Sequence, residues 1–161
     1  MAIMSGQQAV VMDARGRISF PMQFRSVLGE DLYVSPDARF RGFLEVRSEA
    51  GYEKQINDLR EEGLKNEEDP EDVEDDIRDL TKDTANLSPD KNGRITLTDK
   101  LISYAGLSGK VVVIGNGDHA EIWDADKLAE YEAQRAEIRA RKRAEKDAEK
   151  KANKGVKKEG Q

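Results

Sequence analysis

The sequence predicts an α+β protein with a β-rich core, built from two pseudo-symmetric copies of one small unit, with amphipathic helices added between the copies and a charged helix at the C-terminus. Three observations predict it. Two stretches match at a constant spacing of 77 positions: DARGRISFPMQFRSVLG from Asp13 and DKNGRITLTDKLISYAG from Asp90. Each opens with a glycine turn and a period-2 strand. Charge also segregates, acidic from Glu61 to Leu80 and basic from Arg135 onward, with near-neutral sequence over the copies.

In the first repeat, residues 6–52, the apolar strand Ala9-Val10-Val11-Met12 runs into a turn centred on Arg15-Gly16. Glycine supplies the positive φ that a tight hairpin demands. Ile18-Ser19-Phe20 alternates as a strand, Pro21 suits the first turn of a short helix, and Gly29 stops it. FLEV from Phe43 belongs to a closing hairpin. Residues 53–82 form an acidic helical linker. Tyr52, Ile56 and Leu59 share one helical face, Val73, Ile77 and Leu80 another, and Asp69-Pro70 breaks the helix between them. The second repeat, 83–126, has a weaker strand at Ala85–Leu87 and its turn at Asn92-Gly93. The strand Ile95-Thr96-Leu97 follows, then a helix capped by Thr98 and stopped by Gly106. Its closing hairpin turns at Gly115-Asn116-Gly117-Asp118 into AEIW from Ala120, one residue out of step with FLEV. Trp123 reads as core. Residues 127–161 form a charged helix and tail, starting at Asp126 with Leu128 and Tyr131 and carrying only alanines and charges beyond Ile138, so that it projects into water or frays. Units of this size bury little surface alone, so the copies are expected to share one core about a pseudo-twofold axis.

Over 161 residues the net charge is -6, and hydrophobic and charged residues each make up 37%, which requires solvated segments. There is no cysteine, so no disulfide and no thiolate metal site. The single histidine, His119, follows a tight turn and reads as a solvated hairpin residue. Carboxylates cluster in the solvated acidic run, and neither G-x-S-x-G nor a phosphate-binding loop occurs. The sequence thus predicts no enzyme: no catalytic residues, no metal, no cofactor and no small-molecule substrate. No apolar run has the length of a membrane helix, and the first residues lack a secretory pattern, so a cytoplasmic protein is expected.

The candidate site is the arginine cluster of the first copy: Arg15, Gly16, Arg17 and Arg25. An arginine at a turn can bind guanine bidentately or clamp a phosphate, and Gly16 would let the backbone approach DNA. Arg17 has a second reading, an ion pair with Asp13 four residues back. In the second copy, Asp90, Gly93 and Arg94 form either a structural motif or a second contact set, and the ion pair is the preferred reading for Arg94. Arg15 has no acidic partner at that spacing. The basic tail suggests phosphate contact or solubility.

The two D-x-x-x-R motifs in D-A-R-G-R-I-S-F-P and D-K-N-G-R-I-T-L, with Y-A-G-L, V-V-V-I-G-N and A-E-I-W, resemble the MraZ family of transcriptional regulators over roughly Gly6 to Glu132. That resemblance implies two AbrB-like (SpoVT-AbrB) repeats forming a swapped-hairpin β-barrel. It also implies a nucleoid-associated repressor of the bacterial division and cell-wall gene cluster, acting as ring-like homo-oligomers on repeated boxes of double-stranded DNA. Among the arginines it favours Arg17. The family's opening Phe-Arg-Gly is replaced by Met4-Ser5-Gly6, which removes a basic residue from the expected DNA face. Two other functions fit the residues: a protein-interaction ring using its acidic helices, and an antitoxin-like regulator, which two full repeats in one chain disfavour.

Overall fold

The valine-rich strand β1 (Gln7–Val11) does not fold back on the strand that follows it. In the computed structural model, which describes residues 3–159, its partner is β7 (Lys110–Gly115), with Gln7 opposite Ile114 and Val11 opposite Lys110. The matching strand of the second repeat, β5 (Ala85–Leu87), pairs in turn with β3 (Leu32–Pro36) of the first. Strands β2 (Arg17–Ser19) and β6 (Arg94–Thr96) pair with each other, Ile18 opposite Ile95. Strands β4 (Leu44–Arg47) and β8 (Ala120–Asp124) meet with Glu45 opposite Glu121.

The larger sheet has the order β1-β7-β8-β4-β3-β5, antiparallel throughout, and β2-β6 is a separate ribbon. That order reads the same from either end once the repeats are exchanged, which is the predicted pseudo-twofold. The predicted local hairpin across each first turn is corrected: the turns are present, but the strands on either side pair with the other repeat. Alternation marks a strand and its buried face without naming the partner. The exchange of strands expected from the resemblance is therefore present. The recorded pairings leave β1 and β5 as edges of an open sheet, so they do not describe a closed barrel.

Exchange lets the repeats share one core. Ile18 and Ile95 enter it from the ribbon, Phe24 and Leu101 from the helices α1 (Met22–Leu28) and α4 (Asp99–Ala105), and Val34 and Val113 from the sheet. Truncating any of these to alanine would cost about 2–5 kcal/mol. Pro21 sits at the N-cap of α1, one place ahead of the predicted first turn. Thr98 caps α4 by accepting from the Leu101 N–H. Gly106 ends α4 in the left-handed conformation that spares it a Cβ clash.

Between the repeats lie α2 (Glu49–Lys65) and α3 (Pro70–Thr81), separated at the predicted Asp69-Pro70 break. Tyr52, Ile77 and Leu80 are buried, and Ile56, Leu59 and Val73 are half-buried, so both apolar stripes face inward as predicted. Tyr52 stacks on Tyr33 of β3 at 5.1 Å and donates its hydroxyl to Thr84. The helices cross tightly, because a Cβ on Gly63 would lie 2.6 Å from Val73 Cγ2.

Residues through Ala125 form one compact unit, and the chain beyond it a second. The helix α5 (Ala125–Glu159) is continuous over 35 residues, through and beyond Ile138. It is about 52 Å long at 1.5 Å per residue. Its exposed charges solvate it from Arg139 to Val156. Among the described residues no helix is long and apolar enough to cross a membrane.

Candidate nucleic-acid interface

The β2–β6 ribbon positions the candidate arginines. Ile18 and Ile95 point into the core, so Arg17, Ser19, Arg94 and Thr96 occupy the opposite face. Arg94 lies across from Ser19, which offsets the two motif arginines by about 7 Å along the ribbon. They flank the pseudo-twofold axis symmetrically.

Each aspartate of the D-x-x-x-R motif organises its own turn. Asp13 accepts from the N–H groups of Arg15 and Arg17, both at 2.9 Å, and from Arg17 Nε at 2.7 Å. Asp90 repeats the pattern with the N–H groups of Asn92 and Arg94, at 2.8 and 3.0 Å, and Arg94 Nε at 3.2 Å. The Arg17 N–H, above all, holds the Asp13 carboxyl below its ordinary pKa, and the Arg94 N–H does the same for Asp90. Both ion pairs anticipated from spacing are thus present. Both engage the guanidinium through Nε.

The other candidates are placed differently. Arg15 stands exposed at the turn tip. Lys91, which sequence reasoning passed over, is exposed in the second turn at the place of Ala14. The 77-residue alignment was signal enough to find it. Arg25 is largely covered, with 17% of its side chain exposed and Glu30 3.7 Å away. Gly16 is buried with φ +77°, and a Cβ there would lie 2.8 Å from Ile102 Cδ1. The close approach it permits in this structure is to Ile102 of the other repeat. Gly93 has the same φ and lies under Arg25. Main-chain bonds complete the exchange: Phe20 N–H donates to Gly93 O, and Leu97 N–H to Gly16 O, both at 2.9 Å.

His119 overturns its reading as a solvated hairpin residue. Its side chain is 12% exposed, with Nδ1 2.7 Å from Asp118 and Nε2 3.1 Å from Glu45 and 3.5 Å from Glu121. Burial opposes a charge on the imidazole, but Glu121, Glu45 and Asp118 together push its pKa up to about 9. Burial likewise opposes the Glu45 carboxylate, which His119 and Arg47 nevertheless bring down to about 2. Glu45 comes from the first repeat and His119 from the second, so no local pattern could reveal the cluster.

Two strand-exchanged repeats, each presenting a D-x-x-x-R turn beside a shared ribbon, make this an AbrB-like α+β protein. Residues 80–151 match the family model described as "MraZ protein, putative antitoxin-like". The chain is 35% identical over 129 residues to a protein of Paenarthrobacter aurescens (strain TC1), covering 78% of this chain and 84% of that one. It is 33% identical over 133 residues to one of Arthrobacter sp. (strain FB24), covering 81% and 87%. A third, of Mycobacterium sp. (strain KMS), is 34% identical over 126 residues, covering 78% and 84%. All three are named transcriptional regulator MraZ. The chain belongs to the MraZ family.

Proposed function

We propose that this protein is a sequence-specific DNA-binding transcription regulator, a repressor acting at the promoter of the division and cell-wall gene cluster. It assembles into ring-like homo-oligomers that set several ribbons on repeated boxes of double-stranded DNA in the nucleoid. The observation that carries this reading is the outer face of the β2–β6 ribbon. It bears Arg17 and Arg94 on either side of the pseudo-twofold, with Arg15 and Lys91 at the turns. A two-stranded ribbon fits the major groove, where arginine reads guanine bidentately. Asp13 fixes Nε of Arg17, so less side-chain freedom is lost when that guanidinium meets a base or phosphate. Family relatives named transcriptional regulators support the same role.

A second reading, a protein-interaction scaffold, draws on α3, where Glu71, Asp72, Glu74, Asp75, Asp76 and Asp79 outweigh Arg78. Fluorescence anisotropy on the protein's own promoter fragment separates the two. DNA binding through phosphates makes log K fall linearly with log salt, by about 0.9 per contact. Affinity that stays flat from low to physiological salt would remove DNA as the main partner and favour the scaffold. Light scattering tests assembly: a strict monomer at micromolar concentration that still binds one isolated box tightly contradicts the ring.

A further inference from the structure

We propose that Glu45, His119 and Glu121 form a binding site for one divalent cation of the zinc type, held by His119 Nε2 and the two Oε2 atoms with one position left open. The three groups come from β4, the β7–β8 turn and β8, at the centre of the larger sheet where the repeats meet.

The spacing fits. Nε2 lies 3.1 Å from Glu45 Oε2 and 3.5 Å from Glu121 Oε2, and the ligand atoms all fall within 4.8 Å of one another. Neighbouring ligands of a tetrahedral zinc are about 3.3 Å apart for bonds of 2.0–2.1 Å. The ligand types, imidazole and carboxylate, suit zinc and its first-row neighbours.

An independent observation points the same way. Nε2 is buried against the two carboxylates without settling into hydrogen-bond geometry with either. Meanwhile the opposite atom of each ligand is tethered. Nδ1 is held by Asp118 at 2.7 Å, Glu121 Oε1 by Trp123 Nε1–H at 2.9 Å, and Glu45 Oε1 by the Ala38 N–H at 2.7 Å. A carboxylate on the far nitrogen of a ligating histidine fixes its tautomer and orientation. The two Oε2 atoms do have other donors, Arg47 Nη2 at 3.2 Å to Glu45 and Asn116 Nδ2 at 3.0 Å to Glu121. Binding a metal would displace the proton that these carboxylates hold on the imidazole, and the divalent cation would take over its charge-balancing role against Glu45, Asp118 and Glu121. The site would staple β4 of one repeat to β8 of the other.

The test uses the full-length, tag-free chain, stripped by chelator and dialysed against zinc chloride or cobalt chloride. The expected result is one metal per chain, visible cobalt absorption of a tetrahedral site, and a shift of the imidazole ¹⁵N signals. His119 is the only histidine, so those signals report this site alone. Saturating zinc should raise the melting temperature by about 5–10 °C. H119Q and E121Q should each lose the bound metal, and D118N, which keeps all three ligands, should weaken binding about 10–100-fold. Unchanged imidazole signals in the zinc-loaded wild-type chain overturn the proposal even if a variant fails to fold. So does metal content that persists in folded H119Q, which would place the ion on the acidic helices.

Discussion

Arg25 of the first repeat lies across Gly93 of the second, where a Cβ would come within 2.5 Å of the arginine Nη1. A Cβ on Gly16 of the first repeat would likewise lie 2.8 Å from Ile102 Cδ1 of the second. Each D-x-x-x-R turn is therefore roofed by the short helix of the other repeat, one with an arginine and one with an isoleucine.

The two glycines should respond unequally to substitution. G16A adds a Cβ at φ +77°, against Ile102 and 3.3 Å from the Leu97 carbonyl oxygen, which cannot yield. A loss of about 2–3 kcal/mol is expected. At Gly93 the obstacle is the end of a flexible side chain, so G93A should cost nearer 1 kcal/mol, mainly from backbone strain. Urea unfolding followed by the single tryptophan, Trp123, which stacks on Phe43 at 4.2 Å, measures both. Equal losses would show that the roofing contacts add nothing to the strain.

The motif arginines should separate from Arg15 when binding and melting are measured together. R15A should leave the melting temperature unchanged and lower specific DNA affinity, by about 1–3 kcal/mol if a bidentate base contact is lost. R17A should weaken binding as much and melt earlier, because its Nε is bonded to Asp13. R94A should act mainly on stability through Asp90. Normal binding by folded R17A would leave it the ion-pair role alone. Loss of binding by R94A with unchanged melting would mean that the second repeat reads DNA too.

Acid should remove the contribution of both aspartates. Their carboxyls are held below the ordinary value in the folded chain, so their stabilisation is present above the unfolded pKa and disappears as pH falls through the folded one. The melting temperature of wild type relative to D13N/D90N should therefore shrink from about pH 5 to pH 2. A constant difference over that range would show that the shifts do not couple to folding.

Removing Ala140 to Gln161 should weaken binding to every DNA sequence alike and flatten the salt slope, because phosphate contacts carry no sequence information. Gel shifts with specific and scrambled duplexes decide it. A loss confined to the specific site would mean that the tail reads bases or holds the assembly together.

What was legible in the sequence was whatever repeats or alternates. The match of Asp13 to Asp90 located both turns, both ion pairs and the equivalence of Ile18 and Ile95, which proved to face each other. The stripes through Tyr52 and Ile77 located the helices of the linker. Pairing between repeats was not legible in the residues alone, because a strand's alternation is the same whichever neighbour it takes. Nor was the setting of His119. Glu121 lies two residues on, in β8, but Glu45 is brought in from the other repeat. Nor was the packing of Arg25, a DNA-contact candidate in the sequence, because Gly93, which it lies across, is far along the chain.

The exchange of β1 and β5 also sets an order of events during synthesis. Val10 has its partner in Val111, so the first strand emerges from the ribosome about 100 residues ahead of the one it needs. At 5–20 residues per second that is a wait of roughly 5–20 s with an apolar strand unpaired. The first repeat cannot complete its sheet as a nascent chain, and the acidic helices are made during the wait. They can fold locally and keep the growing polypeptide soluble until the second repeat arrives.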